Sequence, residues 1–116
     1  MAEVVEGVTP VEAFVLEESD GACQLWELAA AWTDHGSEDE RRAAVPLLRE
    51  AVVNLSRRAF VDVHELVQLP GGHDTAEAIS SQRVAATISD VRRWLRSEEA
   101  TSLVTVTLTD AGVPYL

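Results

Sequence analysis

Apolar positions in the first third of the chain recur at helical spacing. Thr9-Pro10-Val11-Glu12 has the form of a helix start. Thr9 can cap, Pro10 suits the first helical position, and Glu12 stands where a capping-box carboxylate belongs. Val11, Phe14 and Val15 then share a face, and Asp20-Gly21 ends the segment, since glycine accepts the left-handed conformation that closes a helix. From Ala22 to Trp32, Leu25, Leu28, Ala29 and Trp32 follow i, i+3, i+4, i+7 spacing, with Trp26 and Ala30 widening the stripe. That breadth predicts a central helix with Trp26 and Trp32 as core residues. Asp34-His35-Gly36 breaks it.

Ser37-Glu38-Asp39-Glu40 is a second capping box with an acidic first turn, which the helix dipole favours. A helical pattern follows to about Arg58, with Ala44, Leu47, Leu48, Ala51, Val52 and Leu55 on one face. Pro46 predicts a kink or a restart, giving pieces over about 38–44 and 45–58. Between Phe60 and Leu69 the period changes to two, and a strand is expected over part of this run. Pro70-Gly71-Gly72 reads as a turn. Residues 74–97 read as helical again, with a helix from Ser81 whose face carries Val84, Ile88, Val91 and Leu95 and whose flank carries Trp94. Thr101–Thr109 alternates as a strand should, and Asp110-Ala111-Gly112 ends it. The order implies an α+β fold. Three to four N-terminal helices precede two antiparallel strands, with a helical excursion between the strands. At 116 residues the whole chain, 1–116, makes one domain.

Charge adds what the pattern does not show. Eleven of the twenty carboxylates precede Arg41, and no basic residue does; the remaining nine face nine Arg, and lysine is absent. The formal −11 therefore belongs to the first forty residues. Such a balance opposes binding to polyphosphate, whose affinity comes largely from neutralising phosphates. The 47% hydrophobic content is that of a globular chain. The single cysteine, Cys23, excludes an internal disulfide and fits a reducing, cytoplasmic setting. The start Met1-Ala2-Glu3 lacks the basic region of a secretory signal, and no run approaches the ~18 apolar residues of a membrane span. The Ala, Val and Arg content suggests a high-GC bacterial gene.

Two stretches carry a family resemblance. Leu48-Arg49-Glu50-Ala51-Val52-Val53-Asn54-Leu55-Ser56-Arg57-Arg58-Ala59-Phe60-Val61-Asp62-Val63 resembles a recognition helix running into the first wing strand of a winged-helix domain. Val104-Thr105-Val106-Thr107-Leu108-Thr109-Asp110-Ala111-Gly112 resembles the returning wing strand. The resemblance implies a two-stranded antiparallel wing. The chain departs from the pattern in three ways. Ala59 stands where a turn glycine is usual, about thirty residues replace a short wing tip, and the helix before the recognition helix is charged. Leu25-Trp26-Glu27-Leu28, with its later helical insertion, is also similar to small uncharacterised actinobacterial proteins.

Candidate chemistry is sparse. Arg42, Arg49 and Arg57 fall within roughly 80° of one helix face, where a winged-helix protein would contact DNA. Arg92, Arg93 and Arg96 form a second basic group, a candidate for partner binding, beside Trp94, whose place next to an apolar face favours a core or interface tryptophan. The acidic residues Glu17, Glu18, Asp20 and Glu27 suit a basic partner surface or a second copy of the chain. His35, His64 and His73 lack metal-ligand spacing, and Cys23, early in an apolar helix, reads as a structural thiol before a reactive one. No metal, cofactor or membrane is implied. The leading expectation is a non-enzymatic, cytoplasmic protein-interaction module with a regulatory role. A DNA-binding regulator reading through the Arg stripe is the alternative, and an enzyme using Cys23 the remote one.

Overall fold

The first helix forms where the capping box demands it. In a computed structural model, which describes residues 8–69, 72–74, 78–95 and 102–116, α1 spans Pro10–Ser19. Thr9 Oγ1 accepts from the Glu12 amide at 3.1 Å, and the Thr9 amide donates to Glu12 Oε1 at 2.8 Å. The helix buries Glu12, Val15, Leu16 and Ser19, leaving Val11 and Phe14 half-buried on its flank.

The next segment departs from the helical expectation. Cys23–Gln24 form a two-residue strand, β1, and helix α2 begins only at Leu25, running to Trp32. Ala22 is at φ 74°, a left-handed conformation that breaks the helical pattern before Cys23. The Gln24 amide then donates to Glu27 Oε1 at 3.0 Å, capping α2. Helix α2 ends in a Schellman arrangement: His35 N–H reaches Ala30 O at 2.7 Å, and Asp34, at φ 52°, donates to Ala31 O at 3.2 Å.

Helix α3 is continuous over Glu38–Arg57, with Pro46 inside it, so the expected division into two pieces does not occur. Pro46 lies on the exposed side of the helix. Burial falls on Ala44, Val45, Leu48, Ala51, Val52, Leu55 and Ser56. The buried face is thus rotated from the expected one: Val45 replaces Leu47, which is 44% exposed. The helix closes with a second Schellman motif, Phe60 N–H to Leu55 O at 2.9 Å and Ala59 N–H to Ser56 O at 3.0 Å. Ala59 takes φ 62°, the conformation a glycine would adopt without strain.

Strand β2 covers Val61–Leu69 and β4 covers Ser102–Leu108, paired antiparallel with Val63 opposite Val106. Alternation sends Val61, Val63, Val104 and Val106 into the core, while Asp62 is exposed and His64, Thr105 and Thr107 are half-buried. Two further strands enlarge the expected ribbon: β1 pairs with β4, and β3, Gly72–Asp74, pairs with β2, giving the order β1-β4-β2-β3. Asp74 therefore ends a strand rather than starting a helix. Pro70 and Gly71, the heart of the expected turn, lie outside the described residues.

The described segment 78–95 between β2 and β4 is tied to the sheet and the core. Ile79 N–H bonds Val63 O at 2.7 Å. Helix α4, Ser81–Thr87, stops earlier than the periodicity suggests, and a 3-10 turn follows at Val91–Trp94. Val84, Ile88 and Trp94 are fully buried, and Trp94 Nε1 donates to Ile88 O at 2.9 Å. Trp94 is thus a core residue. At the chain's end Gly112 packs so closely that a Cβ there would lie 2.4 Å from Phe60 O, and Tyr115 stacks on Phe60 at 4.4 Å. The result is an α+β domain with helices on one face of an antiparallel sheet.

Candidate functional site

The Arg stripe does not form a free basic face. Arg42 lies 3.8 Å from Glu38 across one helical turn. Arg49 is half-buried, and its Nη1 donates to Ser89 O at 3.5 Å, tying α3 to the segment after α4. Arg57 is exposed. Projected at about 100° per residue, the positions opposite the buried face of α3 are Asp39, Pro46, Glu50 and Arg57. The outermost line of this helix thus carries two carboxylates, a proline and one guanidinium.

The second basic group is dispersed by its own partners. Arg92 pairs with Asp90 at 2.9 Å, and the Arg92 guanidinium and amide hold the exposed Asp90 carboxyl below the usual range. Arg93 reaches across to Glu65 on β2 and is only partly exposed. Arg96 lies outside the described residues, and the burial of Trp94 removes it as a stacking platform.

The acidic candidates divide. Glu27 is spent in the cap of α2, whereas Glu17, Glu18 and Asp20 are exposed at the end of α1. Glu27 and Glu18 both act on the Cys23 thiol. Burial first, and then these two carboxylates, push it up to about 12. A thiol so placed stays protonated at neutral pH, the reverse of what a nucleophile needs. Its expected place inside the helix is replaced by β1, just before the α2 cap residue Gln24.

Histidines are equally scattered. His35 is exposed in the α2–α3 corner, and His64 Nε2 sits 3.3 Å from Thr107 Oγ1 on the sheet. Among the described residues no group of three or more His, Cys, Asp or Glu could hold a metal. No described helix is long and apolar enough to cross a membrane.

A surface that the periodicity assigned to the core remains. Leu47 and Trp32, 44% and 37% exposed, both face a groove between α1, α2 and α3. Leu47 separates two hollows. One, about 180 Å³, is bounded by Val11, Ala51, Asn54 and Glu50; the other is an open shelf bounded by Trp32, Ala43 and Glu40. Phe14 braces Trp32 edge-on at 5.0 Å. The smaller hollow falls below the roughly 300 Å³ of a small-molecule pocket. Sequence pattern could not separate these residues from core positions, because each fits the helical period. Only the packing of α1 against α3 selects which apolar positions stay outside.

No protein-family model matches this sequence, and no curated protein or solved structure is significantly similar to it.

Proposed function

We propose that this chain is a non-enzymatic, cytoplasmic protein-interaction module built on a winged-helix-like plan, acting as a regulator through protein contacts. With β3, α4 and the 3-10 turn between β2 and β4 taken as an insertion, the order helix, short strand, helix, long helix, strand, strand, with β1 against β4 and β4 against β2, supports the winged-helix reading. In that reading α3 takes the place of the recognition helix, and the tethered segment 78–95 fills the place of the wing tip.

The observation that carries the functional reading is the outer line of α3. A DNA-reading helix presents cations and hydrogen-bond donors to phosphates and base edges. Here Asp39 and Glu50 occupy that line, and Arg42 and Arg49 are drawn aside by Glu38 and the Ser89 carbonyl. Apolar surface lies beside it at Leu47 and Trp32, which suits a protein partner. Glu17, Glu18 and Asp20 add exposed negative charge at the end of α1, which favours a basic partner surface.

A gel-shift titration with random duplex DNA at low and moderate salt tests the reading. No retardation is expected even at low salt. Retardation that falls steeply with salt and is lost on combining Arg42→Glu, Arg49→Glu and Arg57→Glu would instead establish a DNA-binding regulator.

A further inference from the structure

We infer that the groove centred on Leu47 docks a basic, amphipathic helical segment of a partner protein, with apolar side chains in the two hollows and Arg or Lys at both ends. This inference rests on the interaction-module reading above.

Three features identify the occupant. Leu47 and Trp32 are the large apolar side chains left exposed on this face, although neighbouring Leu48, Leu28 and Val52 are fully buried. The hollow on one side of Leu47 and the open shelf on the other give the floor two separate places for the anchor side chains of a helix. Among the described residues a carboxylate borders each side, Glu50 with the buried cap residue Glu12 at one and Glu40, which keeps its charge while accepting from the Ser37 amide, at the other, and no Arg lines either. Glu40 and Glu50 are ten residues apart on α3, about 15 Å along its axis. Two cations on a partner helix, separated by about the same number of residues, would meet both.

Charge decides against the other occupants. A second copy docked through the same face would bring its own Glu40 and Glu50 to the rim, where like charges repel. A polyanion would meet the same repulsion.

Random peptides of about 16 residues, roughly 24 Å as a helix, displayed and selected on the full chain, test the inference. The selected sequences are expected to carry apolar residues at i, i+3 or i+4, and i+7, with Arg or Lys spaced about ten apart. Leu47→Asp should weaken their binding at least about tenfold, as the loss of a central anchor does. Glu50→Lys should weaken it while leaving Leu47 intact. Both positions are exposed, so thermal melts are expected to stay near that of the parent chain. Selection of acidic or neutral peptides, affinity indifferent to both substitutions, or no enrichment at all would overturn the inference. So would sedimentation showing a dimer that Leu47→Asp dissociates, because the groove would then belong to a second copy. A DNA shift lost with the Arg stripe would remove the interaction-module reading itself, whereas a failed selection alone removes only the groove.

Discussion

Removing the Trp94 side chain tests whether the segment between the long strands belongs to the core. Trp94 has no exposed surface, and its indole N–H is bonded to Ile88 O. An aromatic side chain of this kind buries about 200 Å², worth about 5 kcal/mol at 25 cal/mol per Å². The lost hydrogen bond leaves the buried Ile88 carbonyl unpaired, and partial collapse of the cavity offsets some of the total. Trp94→Ala is therefore expected to cost about 3–5 kcal/mol. Trp94→Phe, which keeps most of the ring volume, should cost about 1–3 kcal/mol through the orphaned carbonyl and a smaller void. Urea unfolding followed by far-ultraviolet circular dichroism measures both. The midpoint should fall while the slope with urea stays constant. A loss below about 1 kcal/mol for Trp94→Ala would refute the reasoning. The 78–95 segment would then be an appendage rather than a wall of the core.

Other consequences follow from single positions. Ala59 sits at φ 62°, so Ala59→Gly should relieve left-handed strain and raise stability by up to about 1 kcal/mol, read as a higher melting temperature. Gly112→Ala should destabilise by about 1–3 kcal/mol or more in the same assay, because its Cβ would press on the Phe60 carbonyl. The Cys23 thiol, pushed from 9.0 to about 12, should resist alkylation at neutral pH unless the chain is unfolded. Its contribution to stability is fully present below pH 9. As pH rises further, the unfolded thiol ionises first and the folded state holds the extra proton, so this contribution declines towards the folded value of about 12. Cys23→Ala should remove that part of the alkaline slope in a pH series of unfolding curves.

Local rules made much of the fold legible. The boxes Thr9/Glu12 and Ser37/Glu40 announce α1 and α3 because each satisfies orphan backbone donors within four residues. The alternation after Thr101 announces β4 because period two is a local property. What stayed hidden depends on partners distant in sequence. Cys23 and Gln24 become a strand only because Val106 and Thr105 lie opposite them. Gly72–Asp74 form β3 only by folding back onto Val67–Leu69. Pro46 lies on the outer side of a helix whose inner side is fixed by packing, so the helix continues through it. The candidate site was harder to read for the same reason. Leu47 and Trp32 match the helical period as well as Leu48 and Leu28 do, and only the seating of α1 exposes the first pair. The Arg stripe was visible as spacing, and so was the i,i+4 pairing of Arg42 with Glu38, but the tie of Arg49 to the Ser89 carbonyl is a tertiary fact.

A photo-cross-linking side chain placed at position 47 in the full chain, activated in the native cell, reads directly what covers this face. A discrete protein adduct whose cross-linked segment carries Arg or Lys around apolar residues is the expected result. Cross-links to nucleic acid, or none above those of a control at exposed Ala85 on α4, would contradict a protein-docking role for this surface.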